Sequence, residues 1–140
     1  MAAGTVQVYA NALLALTKAQ IDLSSDTFAC MLLAQTYVPD RLTDTLWSDI
    51  AAHELADGDG YTTGGQTLGT ETVVLDDGTV TWAADNVSWP ASTLTAKYAV
   101  IADADVLIAY LDLNDGGGSV STTSGTFEVK WNAAGILTLA

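Results

Sequence analysis

His53, the chain's one histidine, stands directly before Glu54, and such a pair can act in general acid and base catalysis. A nucleophile to accompany it is missing, since no Gly-x-Ser-x-Gly segment occurs in the sequence. The single cysteine, Cys30, lies among apolar residues, which raise the pKa of a thiol and make it unreactive. We therefore expect His53 to be a solvated side chain at a loop edge and the protein not to be an enzyme, a hydrolase being the weakest of the alternatives.

Pairs of aspartates recur along the chain, and carboxylate oxygens are the ligands that hard cations prefer. The pairs are Asp57 and Asp59, Asp76 and Asp77, Asp103 and Asp105, and Asp112 and Asp115. The segment Asp57-Gly-Asp-Gly-Tyr lacks the ligand spacing and the distal glutamate of an EF-hand loop. Aspartate beside glycine also accepts hydrogen bonds in tight turns, so we expect turns here and no metal or cofactor site.

Charge argues against two classes of partner. The 140 residues carry 17 Asp and Glu against 4 Lys and Arg, a formal net charge of -13. This field repels nucleic-acid phosphates and anionic lipid heads, so we expect neither nucleic acid nor membrane as a partner. The glycine-rich stretches 58–65 and 116–118 lack the lysine and the strand-to-helix context of a phosphate-binding loop. The N-terminus has no basic region before an apolar stretch, so we expect no secretory signal.

Aromatic side chains offer a platform for stacking on sugars or for contact with a protein. Trp82 and Trp131 alternate with polar residues in predicted strands, which favours a place in the core. Trp47 and Tyr61 fall in predicted loops and are the better candidates for contact with a partner.

These residues must be positioned by a small set of elements. An Ala- and Leu-rich segment at about 6–19 predicts an N-terminal helix with Tyr9, Leu13 and Leu16 on one side and Ala12 as a further candidate for that side. A second, short helix is predicted over 42–50, with Asp44 as its cap.

The rest of the chain has the signals of β-structure. Strands are predicted at 21–23, 27–33, 71–76, 79–84, 87–90, 94–101, 106–112, 126–131 and 136–139, about eight in all when the first two, separated only by a turn, are counted as one. Asp77-Gly78 between two of them is a strong hairpin signal. We predict one domain, residues 1–140, with a mainly β fold: an antiparallel, jelly-roll-like β-sandwich with one N-terminal α-helix.

Apolar residues are in excess, at 49% against only 15% charged. The strand 106–111 is apolar on both faces, so either a second layer of the protein or a neighbouring subunit must cover its outer side. This pattern favours an oligomer or a larger assembly.

Six stretches in order carry a resemblance to a known family. They are Ile21-Asp-Leu-x-x-Asp-Thr-Phe, Glu54-Leu-Ala-x-Gly-x-Gly-Tyr-Thr-x-Gly-Gly-x-x-Leu, Val80-Thr-Trp-x-Ala-Asp-Asn-Val-Ser-Trp, Leu94-Thr-Ala-Lys-Tyr-Ala-Val-Ile, Leu107-Ile-Ala-Tyr-Leu-Asp and Gly125-Thr-Phe-x-Val-x-Trp-Asn-Ala-x-Gly-Ile-Leu-Thr-Leu. From about residue 8 to the end, the chain resembles small structural proteins of tailed bacteriophages. Some of these are similar to capsid cement or decoration proteins that sit on the shell as trimers, whereas others are described as tail or fibre proteins.

The resemblance implies a virion structural protein on the capsid exterior, made in the cytoplasm of the bacterial host. Its partners would be the major capsid protein and further copies of itself, most simply as a homotrimer. A host-binding module on a tail or fibre, recognising glycans, is the alternative. Candidate contact residues are the apolar and aromatic side chains of the two predicted helices and the glycine-rich loop: Leu42, Trp47, Ile50, Tyr61, Tyr9 and Leu13.

Overall fold

Antiparallel strands dominate the structure, a computed structural model that describes residues 3–139. About 40% of the residues lie in strands and 11% in helices, which confirms the predicted mainly β fold. The strands are β1 Gln7–Val8, β2 Phe28–Leu33, β3 Gln66–Thr67, β4 Thr72–Asp76, β5 Thr79–Ala83, β6 Val87–Ser92, β7 Thr95–Ala96, β8 Tyr98–Asp103, β9 Val106–Asp112, β10 Val120–Ser121, β11 Gly125–Val129 and β12 Leu137–Leu139. The helices are α1 Ala10–Thr17 and α2 Trp47–Ile50, with a 3-10 turn at Ala51–His53.

The largest sheet has five strands in the order β1-β9-β8-β2-β3. Its middle is formed by β9, β8 and β2, which pair antiparallel over most of their lengths, from Phe28 opposite Asp103 to Leu33 opposite Tyr98. These strands are rich in branched apolar residues and almost wholly buried, as expected of strands with cover on both faces.

Three small sheets make up the second layer: β12-β5-β4, β11-β6 and β10-β7. The two layers meet where Phe28 of β2 packs edge-on against Trp82 of β5, with ring centroids 4.9 Å apart. Trp89 and Phe127 continue this core between β6 and β11. The arrangement is the predicted antiparallel sandwich, with its second layer divided among short sheets.

The N-terminal helix is shorter than predicted, and of its predicted inward side Tyr9 and Ala12 are buried whereas Leu13 is exposed. Residues 7–8 form β1 against β9, and α1 begins only at Ala10. The side chains that α1 buries are Ala12 and Ala15, whereas Leu13 and Leu14 are exposed. Because α1 packs against β9, small side chains allow a close approach of the backbone that leucines would prevent.

Several strand predictions are confirmed and others are wrong. The Asp77-Gly78 hairpin is confirmed: both residues have positive φ, 48° and 80°, as a two-residue turn requires. The predicted strand 21–23 is instead a turn, since Asp22 Oδ1 accepts a hydrogen bond from the Ser24 amide at 2.9 Å. The predicted strand 94–101 is divided between β7 and β8 at Lys97, a buried side chain that no apolar pattern anticipates.

The apolar strand β9 is covered by the chain itself. Leu107, Ile108 and Ala109 are fully buried, with α1 against the strand and Tyr9 packed on Tyr110 at a centroid distance of 5.4 Å. A second layer, and not a neighbouring subunit, is therefore the correct one of the two alternatives for this strand. Among residues 3–139, the longest helix is far too short to cross a bilayer.

Candidate functional site

Three of the six candidate contact residues lie in the core. Tyr9 is fully buried and Ile50 and Tyr61 are 3% and 2% exposed, so these three side chains do not reach a partner in this conformation. The three were selected because they belong to the two predicted helices and the glycine-rich loop, which are separate from the repeating strands and so were expected at the surface. In the structure, all three side chains pack in the hydrophobic core.

Tyr9 belongs to a buried chain of hydroxyl groups that fixes the loop after β2. The Tyr9 hydroxyl donates to the Tyr37 hydroxyl at 2.8 Å, which donates to Asp44 Oδ2 at 2.7 Å. Burial is the main reason that the pKa values of both tyrosines are raised, so both hydroxyls remain donors. Asp44, predicted as a helix cap, is used in this chain, and at the start of α2 Asp49 Oδ2 lies 3.3 Å from the Leu46 amide instead.

Tyr61 completes the strand β2 where its neighbour β3 ends. Its hydroxyl accepts from the Leu32 amide at 3.1 Å and donates to Glu54 Oε1 at 2.7 Å. The glycine-rich loop permits this, because a side chain at Gly65 would collide with the Cys30 carbonyl group of β2. The glycine-rich loop therefore packs against β2, and the buried Tyr61 ring is not available to stack on a sugar.

The side chains that could take part in catalysis are either buried or hydrogen-bonded to other groups of the protein. The buried Cys30 thiol has a pKa raised to about 12 by desolvation. His53 is partly exposed, with Nδ1 3.0 Å from the Thr36 hydroxyl, and the neighbouring Glu54 is occupied by Tyr61 and by the Gly64 amide. In the described part of the chain, the Thr36 hydroxyl is the side-chain group that hydrogen-bonds to the His53 ring.

In three of the four aspartate pairs, one aspartate accepts hydrogen bonds within the protein. Asp57 accepts from the Thr63 amide at 2.6 Å and Asp105 from the Ser48 amide at 2.8 Å. Asp112 holds the buried Lys97 ammonium group at 2.6 Å. Over residues 3–139, no three His, Cys, Asp or Glu side chains converge as a metal site would need.

The other three candidates do reach the surface. Leu42 is 69% exposed, Leu13 is 37% exposed and Trp47 is half-buried at the start of α2. Leu42 lies in a loop patch that we define as Val38, Leu42 and Leu46. This loop is anchored on the five-stranded sheet, because the Trp47 amide donates to the Asp105 carbonyl oxygen at 2.8 Å.

A larger apolar surface was not singled out from the sequence. It is the β4/β5 hairpin, whose strand β4 is exposed at every residue. We define the hairpin patch as Val73, Val74, Leu75 and Leu139, which are exposed by 41%, 53%, 71% and 38%. The available signal was the segment Thr-Val-Val-Leu-Asp, which is apolar on both faces.

The strand register aligns the hairpin patch into an apolar row. Leu75 of β4 lies opposite Val80 of β5, which lies opposite Leu139 of β12. Two pairs further from the turn, Val73 lies opposite Trp82, which lies opposite Leu137, and both Trp82 and Leu137 are buried. The apolar face of this three-stranded sheet therefore starts in the core and continues beyond it towards the hairpin turn.

A shallow groove lies beside the hairpin patch. It has a volume of about 370 Å³ and is lined mainly by apolar side chains: Leu16, Ala19, Ile21, Leu23 and Val73, with Asp22 and Ser24 at its border. Val73 is the β4 residue in this lining, so the groove adjoins the exposed strand.

The second open groove has a different chemistry. Tyr98 and Tyr110, both partly exposed, line about 370 Å³ together with Gln7, Asp112 and Asp115. Aromatic faces beside amide and carboxylate groups are the chemistry that binds sugars.

Comparisons with protein-family models, with curated protein sequences and with solved structures found no match to this chain. The choice of function therefore depends on the surfaces just described and on the residues of the chain itself.

Proposed function

We propose that this protein is a non-enzymatic structural component of a tailed-bacteriophage virion, a capsid cement protein that stabilises the assembled shell through protein contacts. The observation that carries the proposal is the hairpin patch, in which three consecutive apolar side chains are exposed on both faces of an edge strand. Monomeric proteins seldom keep such an edge bare, because it invites pairing with another chain. The resemblance to small virion proteins supports the choice of partner.

A cement protein acts by binding the assembled shell and not its separate subunits. Each bound copy then stabilises the shell by its own binding free energy, and many copies add up, so that modest affinity per copy is sufficient. The hairpin patch and the loop patch, together with Leu13 and Leu14 of α1, are the contact surfaces in this proposal. The partners are the major capsid protein and two further copies in a homotrimer.

The charge distribution suits a place on the capsid exterior. With a net charge of -13, the protein is repelled by packaged DNA and keeps neighbouring particles apart. The protein would be made in the bacterial cytoplasm, where its one cysteine, buried in the core, needs no disulfide partner.

The test is binding of the purified protein to phage particles that lack it. We expect the protein to sediment with the expanded particles and to raise the temperature at which they are disrupted. A matched control is the double variant Leu75→Ser/Val74→Ser, which removes apolar surface from exposed positions only. Failure of the wild-type protein to bind, with no gain in particle resistance, would reject the proposal.

The groove of Tyr98 and Tyr110 supports a second candidate, a glycan-binding module on a tail or fibre. The experiment is adsorption of the isolated protein to host cells and to a glycan array. Tyr110→Ala would abolish a signal from this groove, whereas Leu75→Ser, which lies on the hairpin, would leave the signal unchanged.

A further inference from the structure

The strand β4 has a free edge, and its geometry determines which backbone groups are unpaired. β4 is the outer strand of its sheet, and a two-residue turn makes Asp76 and Thr79 the first hydrogen-bonded pair. Because hydrogen-bonded and non-bonded pairs alternate in an antiparallel ladder, Val74 also bonds to β5. The N–H and C=O groups of Val73 and Leu75 therefore point away from the sheet.

The groove beside Val73 lies where a side chain of an added strand would be. A residue paired with Val73 along this edge would share its face of the sheet, which is the face that contains Trp82. That side chain would lie over Leu16, Ile21 and Leu23. Backbone hydrogen bonds and an adjacent apolar site are the two components of recognition by strand addition.

The charged residues near β4 determine whether a second copy of this chain or a different protein fits its free edge. No lysine or arginine occurs between Arg41 and Lys97, whereas Glu71, Asp76 and Asp77 flank the strand and Asp22 borders the groove. Antiparallel pairing of β4 with its own copy, centred on Val74, would place Glu71 opposite Asp77 of the other copy. Like charges directly opposite each other destabilise such a pair.

We propose that β4 binds an extended segment of a different protein as an additional strand, and that this segment carries Lys or Arg at both ends of a short apolar stretch. Its alternate side chains enter the groove of Leu16, Ile21 and Leu23, and its basic ends face Glu71 and Asp76. This inference depends on the proposed function, in which the segment belongs to a capsid protein.

The experiment is a selection from a library of random peptides of about twelve residues, long enough to cover one strand and its flanks. The bait is the full-length protein. We expect enrichment of peptides with alternating apolar residues between basic ends, and protection of the Val73 and Leu75 amides from hydrogen exchange when such a peptide binds. Replacing the basic residues of a selected peptide by aspartate should weaken binding by at least about tenfold at low salt.

Leu75→Pro is the variant that separates backbone pairing from apolar contact. It removes an outward N–H group without breaking a bond to β5, and proline is tolerated on the open side of an edge strand. We expect its affinity for the selected peptides to fall by at least about tenfold. The affinity of Leu75→Thr, which keeps the N–H group, should fall less. Circular dichroism and thermal unfolding verify that both variants are folded.

Two results would overturn the inference: a selection that enriches no peptides of this pattern, or selected peptides that bind Leu75→Pro as tightly as the wild type. The particle experiment separates this failure from failure of the cement proposal. If Leu75→Pro still binds particles, the cement function stands and strand addition is wrong. If peptides are selected but particles are not bound, the strand site stands and its partner is not the capsid.

Discussion

Strands β9 and β4 have similar sequences and opposite environments. Val106–Asp112 and Thr72–Asp76 are both apolar on both faces and both end in Leu-Asp. In β9, the side chains from Leu107 to Ala109 are fully buried, whereas all five residues of β4 are exposed. β9 has a strand on each side and a helix against it, and β4 has one neighbour.

The difference teaches that a strand with apolar side chains on both faces must be covered on both faces. Its sequence does not show whether the same chain or a partner supplies the cover. For β9 the cover is α1, a segment close to the N-terminus that meets the strand through alanines. For β4, which is exposed at every residue, the described chain supplies no such layer. The proposals above depend on β4, since β9 no longer argues for a neighbouring subunit.

The same substitution in each strand gives the largest contrast. Leu107→Ala should lower the free energy of unfolding by about 2 to 5 kcal/mol, because it leaves a cavity in a closely packed core. Leu75→Ala should change it by no more than about 0.5 kcal/mol, since the side chain is already 71% exposed. Urea denaturation of both variants measures the two values.

The control for this pair is the slope of the unfolding free energy against urea concentration. A slope unchanged from that of the wild type shows that the unfolded states are comparable. Equal losses in the two variants would mean that the hairpin is packed against something in solution. If the Leu75→Ala loss then vanished on dilution, the packing would be between copies, contrary to the charge argument against self-pairing.

Local patterns predicted the elements whose stability is local. The Asp77-Gly78 turn and the bounds of β9 follow from turn chemistry and from strong apolar runs, and both are confirmed. Long-range contacts decided the rest: only the sheet explains why α1 buries Ala12 and Ala15 and exposes Leu13 and Leu14. The burial of Tyr61 similarly requires its contact with the distant Leu32 amide, which no local spacing encodes.

A second, intermediate effect on stability is expected in the loop after β2, which contains Tyr37. Tyr37→Phe removes the hydroxyl that links Tyr9 to Asp44 and leaves the buried Tyr9 hydroxyl without its partner. We expect a loss of about 1 to 3 kcal/mol in the free energy of unfolding. The measurement is urea denaturation, with faster hydrogen exchange of the loop amides as a local signature.

Tyr98→Phe is the matched control for this variant. The Tyr98 ring packs on Tyr37 at a centroid distance of 5.6 Å, yet its hydroxyl has no side-chain hydrogen bond in the described structure, so its removal should cost little. Equal losses for the two tyrosines would show that ring packing, and not the hydroxyl chain, holds the loop.

The smallest effect concerns pH, at the end of β8 where it turns into β9. Burial, and then the carboxyl group of Asp26, raise the pKa of Asp103 to about 6. The folded protein therefore holds a proton on Asp103 that the unfolded chain releases near pH 4, so this group stabilises the fold at pH 4 and loses that contribution as the pH rises through 6. The change should stay below about 1 kcal/mol because solvent screens a partly exposed group.

Asp26→Asn removes the carboxylate that accepts a hydrogen bond from protonated Asp103 and repels its ionised form, and should flatten the decline in stability between pH 4 and pH 7. Asp76→Asn, at the end of the exposed β4, changes the net charge by the same amount and should leave the decline as in the wild type. Chemical denaturation at a series of pH values measures both slopes. Equal flattening by the two variants would mean that the overall charge of -13, and not the contact between Asp26 and Asp103, governs the pH dependence.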